Sequence, residues 1–146
     1  MTPTTKIVIS SDKSKLNIDF VHTELAKKYW SLGIPRPVVE TAIANSLCFG
    51  LYLDQTEQQI GFARVVSDLA TFAYLADVFV IETYQKQGLG KRLVAEIKAH
   101  PQLQGLRRWM LMTKDAHDLY KQFGFTALAN PDRAMEQNNP TIYQQL

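Results

Sequence analysis

Short apolar runs separated by polar segments predict the strands of this chain. The runs Leu47 to Leu53 and Gln59 to Ser67 flank a polar segment, residues 54–58, that is short enough for a hairpin. The next run, Phe72 to Ile81, is almost continuously apolar, which is typical of a strand that is covered on both faces. The remaining predicted strands are Lys6 to Ser10, Arg108 to Thr113, Phe125 to Ala129 and Thr141 to Leu146.

Apolar residues at helical spacing predict helices between these strands. The predicted helices run from Asp19 to Leu32, from Pro37 to Asn45, from about Gly88 to before Pro101, and from Asp115 to Phe123. In the third helix one stripe is apolar and the opposite face is charged, which favours packing against a sheet. The order of the elements predicts a mixed α/β architecture with helices packed on a central sheet. We expect one domain over residues 1–146, with its core in residues 6–146.

The composition fits an ordinary globular domain and excludes several functional classes. The 146 residues are 46% hydrophobic and 21% charged, and 16 basic against 14 acidic side chains leave a net charge of +2. That excess is small and scattered, so we expect no nucleic-acid partner. There is no apolar run of about 18 residues and no secretory signal, so we expect a cytoplasmic protein without a membrane partner. One cysteine, Cys48, and three dispersed histidines make a disulfide or a metal site unexpected.

The segment Gln85 to Lys91, between an apolar strand and an amphipathic helix, is the sharpest local motif. Its glycines, Gly88 and Gly90, let a ligand approach the backbone closely, and the first N–H groups of a helix have no partner within it. Together with the helix dipole and the lysines they predict an anion site. The alternative is a loop in which the glycines only make a tight turn. The spacing fits neither a Walker A loop nor a Rossmann fingerprint.

At these residues the chain resembles the Gcn5-related N-acetyltransferase (GNAT) family. Gln85, Gly88 and Gly90 match the family's acetyl-CoA motif, Gln/Arg-x-x-Gly-x-Gly/Ala. A second block, Ala116 to Phe125, is similar to the family's helix and strand near the C-terminus, and the order of elements also matches over residues 6–146. The resemblance implies a GNAT-like fold, with a mostly antiparallel twisted sheet of about seven strands and helices on both faces.

The same resemblance implies acetyl-CoA as cosubstrate and no metal. The loop would grip the pyrophosphate, and main-chain groups on the fourth strand would pair with the pantetheine arm like an added strand. The family often carries an asparagine near the end of its fifth strand, where this chain has Thr113 and Asp115 as substitutes. The implied cofactor-binding residues are Val78, Phe79, Val80, Gln85, Lys86, Gln87, Gly88, Leu89, Gly90, Lys91, Thr113 and Asp115.

Acetyl transfer to an amine needs a base, because a lysine-like amine has a pKa of about 10.4. Asp77 is the only carboxylate within the apolar run before the expected cofactor strand, so it is the leading base candidate. The alternative is that Asp77 pairs with an arginine or caps backbone groups. Glu82 and Asp68 are weaker candidates, because a strand end and a turn usually hold carboxylates for structural reasons.

Tyr120 is the candidate acid, since by resemblance the family often places a tyrosine here to protonate the leaving thiolate. The alternative is a phenol ring packed in the core. His117 and Cys48 are more readily explained as a surface residue and a small buried one. By resemblance Tyr29 and Trp30 line the entrance for the amine, although both fit the core equally well.

The sequence therefore predicts an N-acetyltransferase acting on a primary amine of a small molecule or peptide, by direct attack in a ternary complex. Three alternatives stay open. In the first, the chain is a non-catalytic module that binds or senses acyl-CoA. In the second it is an enzyme that uses another acyl-CoA, and in the third it is a protein-lysine or N-terminal acetyltransferase. The sequence does not distinguish a monomer from a homodimer.

Overall fold

Five strands form one sheet, in the order β1-β2-β3-β4-β5, in the computed structural model, which describes residues 6–144. Strands β1 to β4 pair antiparallel with their neighbours in chain order, and β5 then pairs parallel with β4. The bounds are β1 Ile7–Ser10, β2 Leu47–Leu53, β3 Gln59–Ser67, β4 Phe72–Val80 and β5 Arg108–Leu111. The predicted hairpin of β2 and β3 is present.

Helices cover both faces of this sheet, so the fold class predicted from the sequence is confirmed. The bounds are α1 Ile18–Leu25, α2 Arg36–Ala44, α3 Leu89–Ala99 and α4 His117–Lys121. The apolar stripe of α3 packs on one face, whereas α1 and α2 pack on the other. Because side chains alternate across a strand, Phe62 and Ala63 enter different cores. Within residues 6–144 no helix has the length and apolar character needed to cross a membrane.

The first helix is shorter than its sequence pattern indicates. Asn17 caps its N-terminus, since its side chain accepts a hydrogen bond from the N–H of Phe20 (3.0 Å), and the helix ends at Leu25. There the hydroxyl of Ser31 donates to the carbonyl of Leu25 (2.6 Å), which holds a turn instead of a further helical segment. Tyr29 continues the apolar spacing but is 60% exposed. The prediction of a helix to Leu32 is therefore wrong in its second half.

The C-terminal part of the chain contains fewer strands than predicted. Residues 125–129 form no strand. The ring of Phe125 packs against those of Trp109 and Tyr120, with centroids 6.3 and 6.0 Å apart. The strand predicted for Thr141 to Leu146 is also wrong over its described part, where Ile142–Gln144 form a 3-10 helix. Residues 145 and 146 lie outside the described range. The sheet thus has five strands within residues 6–144 and not about seven.

Strand β4 carries a bulge that separates its two halves. On β3 one residue, Ala63, faces two residues of β4, Asp77 and Val78. Asp77 adopts a left-handed backbone conformation there, with a φ of 56°. The pairing of β4 with β5 ends at Leu75, so the edge from residue 76 to 80 is not paired with β5. The two strands diverge, and a cleft opens between them.

Gly61 allows β3 to lie unusually close to the second half of β4. A Cβ atom at this position would lie 2.9 Å from the carbonyl oxygen of Phe79 and 3.1 Å from the Cβ of Leu51. Backbone cannot yield as a flexible side chain does, so an added methyl group would push the two strands apart.

We expect Gly61→Ala to lower the free energy of unfolding by about 1–3 kcal/mol through overpacking, measured by urea denaturation. The matched control is Gly90→Ala, because a Cβ at Gly90 meets its nearest atom only at 3.9 Å. The control should leave stability unchanged or slightly raised, since alanine is the better helix former. Equal stability of Gly61→Ala and the wild type would contradict the close approach.

Candidate active site

A cleft of about 620 Å³ lies between the α1–α2 side of the sheet and the point where β4 and β5 diverge. It brings together residues that the sequence analysis assigned to different roles. These are Tyr29, Trp30, Asp77, Val78, Thr113, Asp115 and Tyr120. The predicted base, the predicted acid and the predicted entrance for the amine therefore share one cavity.

Asp77 is the central acceptor of a hydrogen-bonded network in this cleft. Its Oδ2 accepts from the Nε of Arg64 (2.8 Å), and its Oδ1 accepts from the indole Nε1 of Trp30 (2.9 Å). Arg64 also donates to the hydroxyl of Ser46 (3.2 Å). The alternative interpretation of Asp77, an ion pair with an arginine, is thus present in the structure. Each carboxylate oxygen retains a lone pair, so the pair does not prevent Asp77 from accepting a further hydrogen bond.

The left-handed conformation of Asp77 follows from its residue type. Aspartate and asparagine visit this region more readily than other residues with a Cβ, because their short polar side chains bond locally. The Asp77 side chain is 11% exposed and that of Arg64 is 21% exposed. The bulge thus turns a mostly buried charge pair towards the cleft.

Tyr120 lies on α4 and forms another wall of the cleft. Its ring is 8% exposed and packs against Phe125. Burial raises the pKa of its phenol above the ordinary value of 10.0, since it penalises the charged form. The phenol is therefore protonated at neutral pH and is able to donate a proton.

The glycine loop has the geometry of an anion site. Lys86 and Gly88 adopt left-handed conformations, with φ values of 64° and 74°, and the first helical hydrogen bond runs from the N–H of Arg92 to the carbonyl of Gly88 (3.1 Å). The N–H groups of residues 89–91 precede that bond and have no acceptor within the helix. Their N–H dipoles and the helix dipole favour a negative charge here.

Open space lies over the same loop. A Cβ atom at Gly88 would meet nothing within 4 Å, and one at Gly90 would meet only Leu119 at 3.9 Å. Packing within the chain therefore does not require a glycine at position 90, which lies inside α3. The bare backbone leaves room for a group from outside the chain, and a diphosphate fits the unpaired amides.

The unpaired edge of β4 leads from the cleft towards this loop. The N–H of Ile81 donates to Ile60 on β3 (2.9 Å), so the strand's alternation directs the main-chain groups of Val80 to the opposite edge. There the side chain of Gln85 donates to the carbonyl of Val80 (2.8 Å). Gln85 thus ties the loop to the strand. The Phe79 side chain packs in the core beside Phe20, and by the same alternation its main-chain groups face Phe62 on β3, so the prediction that Phe79 meets the cofactor on the open edge is wrong.

Several weaker candidates have the structural positions that the sequence analysis gave as alternatives to a catalytic role. Asp68 accepts the N–H groups of Ala70 and Thr71 in a turn, and with the Thr71 hydroxyl these bonds hold its pKa well below the usual range. Cys48 is 1% exposed, and burial raises the pKa of its thiol to about 11. Glu82 and His117 are exposed at the starts of short helices and do not line the cleft.

The structure shows the surroundings of two further predicted residues, Thr113 and Trp30. Thr113 accepts the N–H of Ala116 (3.0 Å), so its hydroxyl stabilises the start of α4 as well as lining the cleft. Trp30 is 42% exposed and, like Tyr29, lies at the cleft and not in the core.

Sequence reasoning missed several residues of the site. Arg64, Met112 and Tyr143 line the cleft together with the predicted residues. Arg64 was detectable in principle, since it shares a face of β3 with buried Phe62 at a spacing of two residues. Met112 directly follows β5 and Tyr143 lies in a 3-10 helix of three residues, and no local pattern indicates where their side chains point.

Comparisons with known proteins agree with this geometry. A family model described as an acetyltransferase (GNAT) domain matches residues 44–127, which include the bulge, the loop and α4. A solved structure of a proposed GNAT-family acetyltransferase from Xanthomonas campestris pv. campestris superimposes with a TM-score of 0.91. It is 45% identical, and the match covers 94% of this chain and 96% of that one.

Two sequence relatives give the same assignment. A proposed acetyltransferase of Gibberella zeae is 28% identical over 77% of this chain and 75% of its own length. An uncharacterised N-acetyltransferase of Gracilaria tenuistipitata var. liui is 34% identical over 75% of this chain and 63% of its own length. With the matching family model and fold, these findings show that the chain belongs to the GNAT family of acetyltransferases.

Proposed function

We propose that this chain is an N-acetyltransferase that moves the acetyl group of acetyl-CoA to a primary amine by direct attack in a ternary complex. The observation that carries the proposal is the glycine loop. Its amides at the start of α3 lack helical partners, and open space lies over Gly88 and Gly90. The cleft with Asp77 and Tyr120 lies at the other end of the unpaired β4 edge.

The residues present fit acetyl-CoA, which supplies an activated thioester when bound. The amides of residues 86–91, with the charges of Lys86 and Lys91, would hold the diphosphate. Main-chain groups of Val78 and Val80, which alternate with those that face β3, would bind the pantetheine arm, as a strand adds to an open edge. Gln85 positions the loop on that edge, and Thr113 and Asp115 line the cleft.

Asp77 acts on the incoming amine. An alkylamine is an ammonium ion at neutral pH, so a carboxylate in the cleft both attracts it and accepts its proton, directly or through a water molecule. Arg64 and Trp30 each occupy one position on the carboxylate and fix its plane. The remaining lone pairs are then available to the amine.

Tyr120 acts on the leaving group. A thiolate with an ordinary pKa near 8.5 is stabilised when the phenol donates to it. The raised pKa of Tyr120 keeps the phenol protonated throughout the neutral and mildly alkaline range.

The structure favours direct attack over a covalent route through Cys48. The thiol is buried among α2 and β2 and does not line the cleft. With a pKa raised to about 11, it is almost entirely protonated at neutral pH and is a poor nucleophile. We also favour catalysis over a module that only senses acyl-CoA, because Asp77 and Tyr120 share the cleft beside the loop.

We expect Gly90→Asp to weaken CoA binding at least about tenfold, since it places bulk and negative charge over the amides at the start of α3. The measurement is isothermal titration with CoA. Ala95→Asp is the matched control, because it adds the same charge on the exposed face of the same helix. Unchanged affinity in Gly90→Asp, or an equal loss in Ala95→Asp, would remove the loop from the binding site.

We expect Tyr120→Phe to lower kcat on the order of 10²-fold while the affinity for CoA changes little, because only proton donation is lost. The measurement is acetyl-CoA-dependent thiol release over pH 6 to about 10. The wild-type profile should show no loss of activity from Tyr120 below about pH 10, since its pKa is raised. Tyr74→Phe, in the same cleft, is the control. A larger loss in the control would transfer the donor role to Tyr74.

We expect Asp77→Asn to lower kcat on the order of 10²-fold, because asparagine tolerates the left-handed conformation and still accepts from Trp30 but takes no proton. Asp118→Asn, which neutralises an exposed carboxylate on α4 outside the cleft lining, should retain activity within about twofold. Circular dichroism checks that both variants are folded. Activity of Asp77→Asn equal to wild type would leave Asp77 with a structural role alone.

A further inference from the structure

We infer that the amine substrate is a small primary amine on an apolar, preferably aromatic, body with no second charged group. This inference rests on the proposed acetyl transfer and names its substrate class. It comes from the mouth of the cleft, where Tyr29, Trp30, Val38 and Met112 form what we call the apolar rim.

The apolar rim is unusual because its side chains are large, apolar and exposed. The exposed fractions are 60% for Tyr29, 42% for Trp30, 38% for Val38 and 69% for Met112. The four residues come from the α1–α2 connection, from α2 and from the segment after β5, yet all line one cavity. Exposed apolar groups gathered around a cleft mark a binding site for apolar surface.

The two aromatic rings of the apolar rim pack against each other near the carboxylate of Asp77. The rings of Tyr29 and Trp30 pack edge to face, with centroids 5.1 Å apart, and the indole N–H is bonded to Asp77. An ammonium ion held at Asp77 therefore lies beside aromatic surface, which attracts cations through its π-electrons. An aromatic body attached to that ammonium would cover the exposed rings.

The charges of the cleft do not favour a substrate with a second ionic group. Asp77 is already paired with Arg64, and the other charged residues of the lining are the neighbours Lys114 and Asp115, of opposite sign. The Nζ of Lys114 lies over the ring of Tyr29, 5.3 Å from its centroid, so it too contacts aromatic surface. The lining has two carboxylates, Asp77 and Asp115, and two cations, Arg64 and Lys114, so it carries no net charge to balance the second ionic group of a diamine, an amino acid or a sugar phosphate.

The first experiment compares 2-phenylethylamine, ethylamine, phenylalanine and putrescine as substrates of the purified chain with acetyl-CoA. We expect kcat/KM for 2-phenylethylamine to exceed that for each of the others by at least about tenfold. Binding of the same amines without acetyl-CoA, followed by titration calorimetry, should give the same order. This second readout does not depend on turnover.

The second experiment changes the rim without touching the Asp77 network. Met112→Ser and Val38→Ser should each lower the affinity and kcat/KM for 2-phenylethylamine about threefold or more, and should lower those for ethylamine less. Met135→Ser is the matched control, since Met135 is 97% exposed and lies outside the cleft lining. It should leave all four amines unaffected.

The outcomes separate this inference from the proposed function. Preferred binding of 2-phenylethylamine with no thiol release would support the substrate class and overturn the acetyl transfer. Turnover with ethylamine, phenylalanine or putrescine at an equal or higher kcat/KM would overturn the substrate class alone. The substrate class would also be overturned by a dimer, seen by sedimentation, that dissociates in Met112→Ser and Val38→Ser, because a second copy would then cover the rim.

Discussion

The site depends on the bulge in β4. One extra residue interrupts the pairing of β4 with β3 at Asp77 and Val78, and that pairing resumes at Phe79. Beyond Leu75 the strand is no longer paired with β5. A regular strand would continue the sheet and leave neither a cleft nor an unpaired edge. The bulge also directs Asp77 to where Arg64 and Trp30 meet it. A single backbone irregularity thus places the central carboxylate of the cavity.

The sequence predicted the central strands, and the place of the glycine loop between β4 and α3, from local patterns. The runs of β2 and β3 have the predicted bounds, and β4 differs by one residue, since burial on both faces gives a continuous apolar run. The helix signal failed between Tyr29 and Leu32, where apolar residues serve a cleft and not the core. The strand signal failed at residues 125–129, where the Phe125 ring packs against Trp109 and Tyr120. Apolar spacing indicates side chains that are buried in the core or that line a cleft, and it does not distinguish these two roles.

The candidate site was predictable in its parts but not in its connections. Asp77 stood out as a lone carboxylate in an apolar run, and Tyr120 was found through a family resemblance. Neither argument indicates Arg64 as a partner, because that contact depends on the strand register and on a bulge that leaves no clear signal in the sequence. The hydrogen bond from Trp30 spans 47 residues of chain and depends on the path of the α1–α2 connection. Contacts of this kind follow from the fold and not from local spacing.

The left-handed backbone of Asp77 restricts which changes this site accepts. Glutamate has the same charge, but its longer side chain lacks the local bonding that makes the conformation tolerable, so it is a poorer replacement than its chemistry suggests. Asparagine and glycine suit the backbone and are each one nucleotide away from an aspartate codon, yet both abolish the negative charge. Gradual divergence at this position is therefore difficult. A lineage that altered its chemistry here would have to rebuild the strand irregularity along with the side chain.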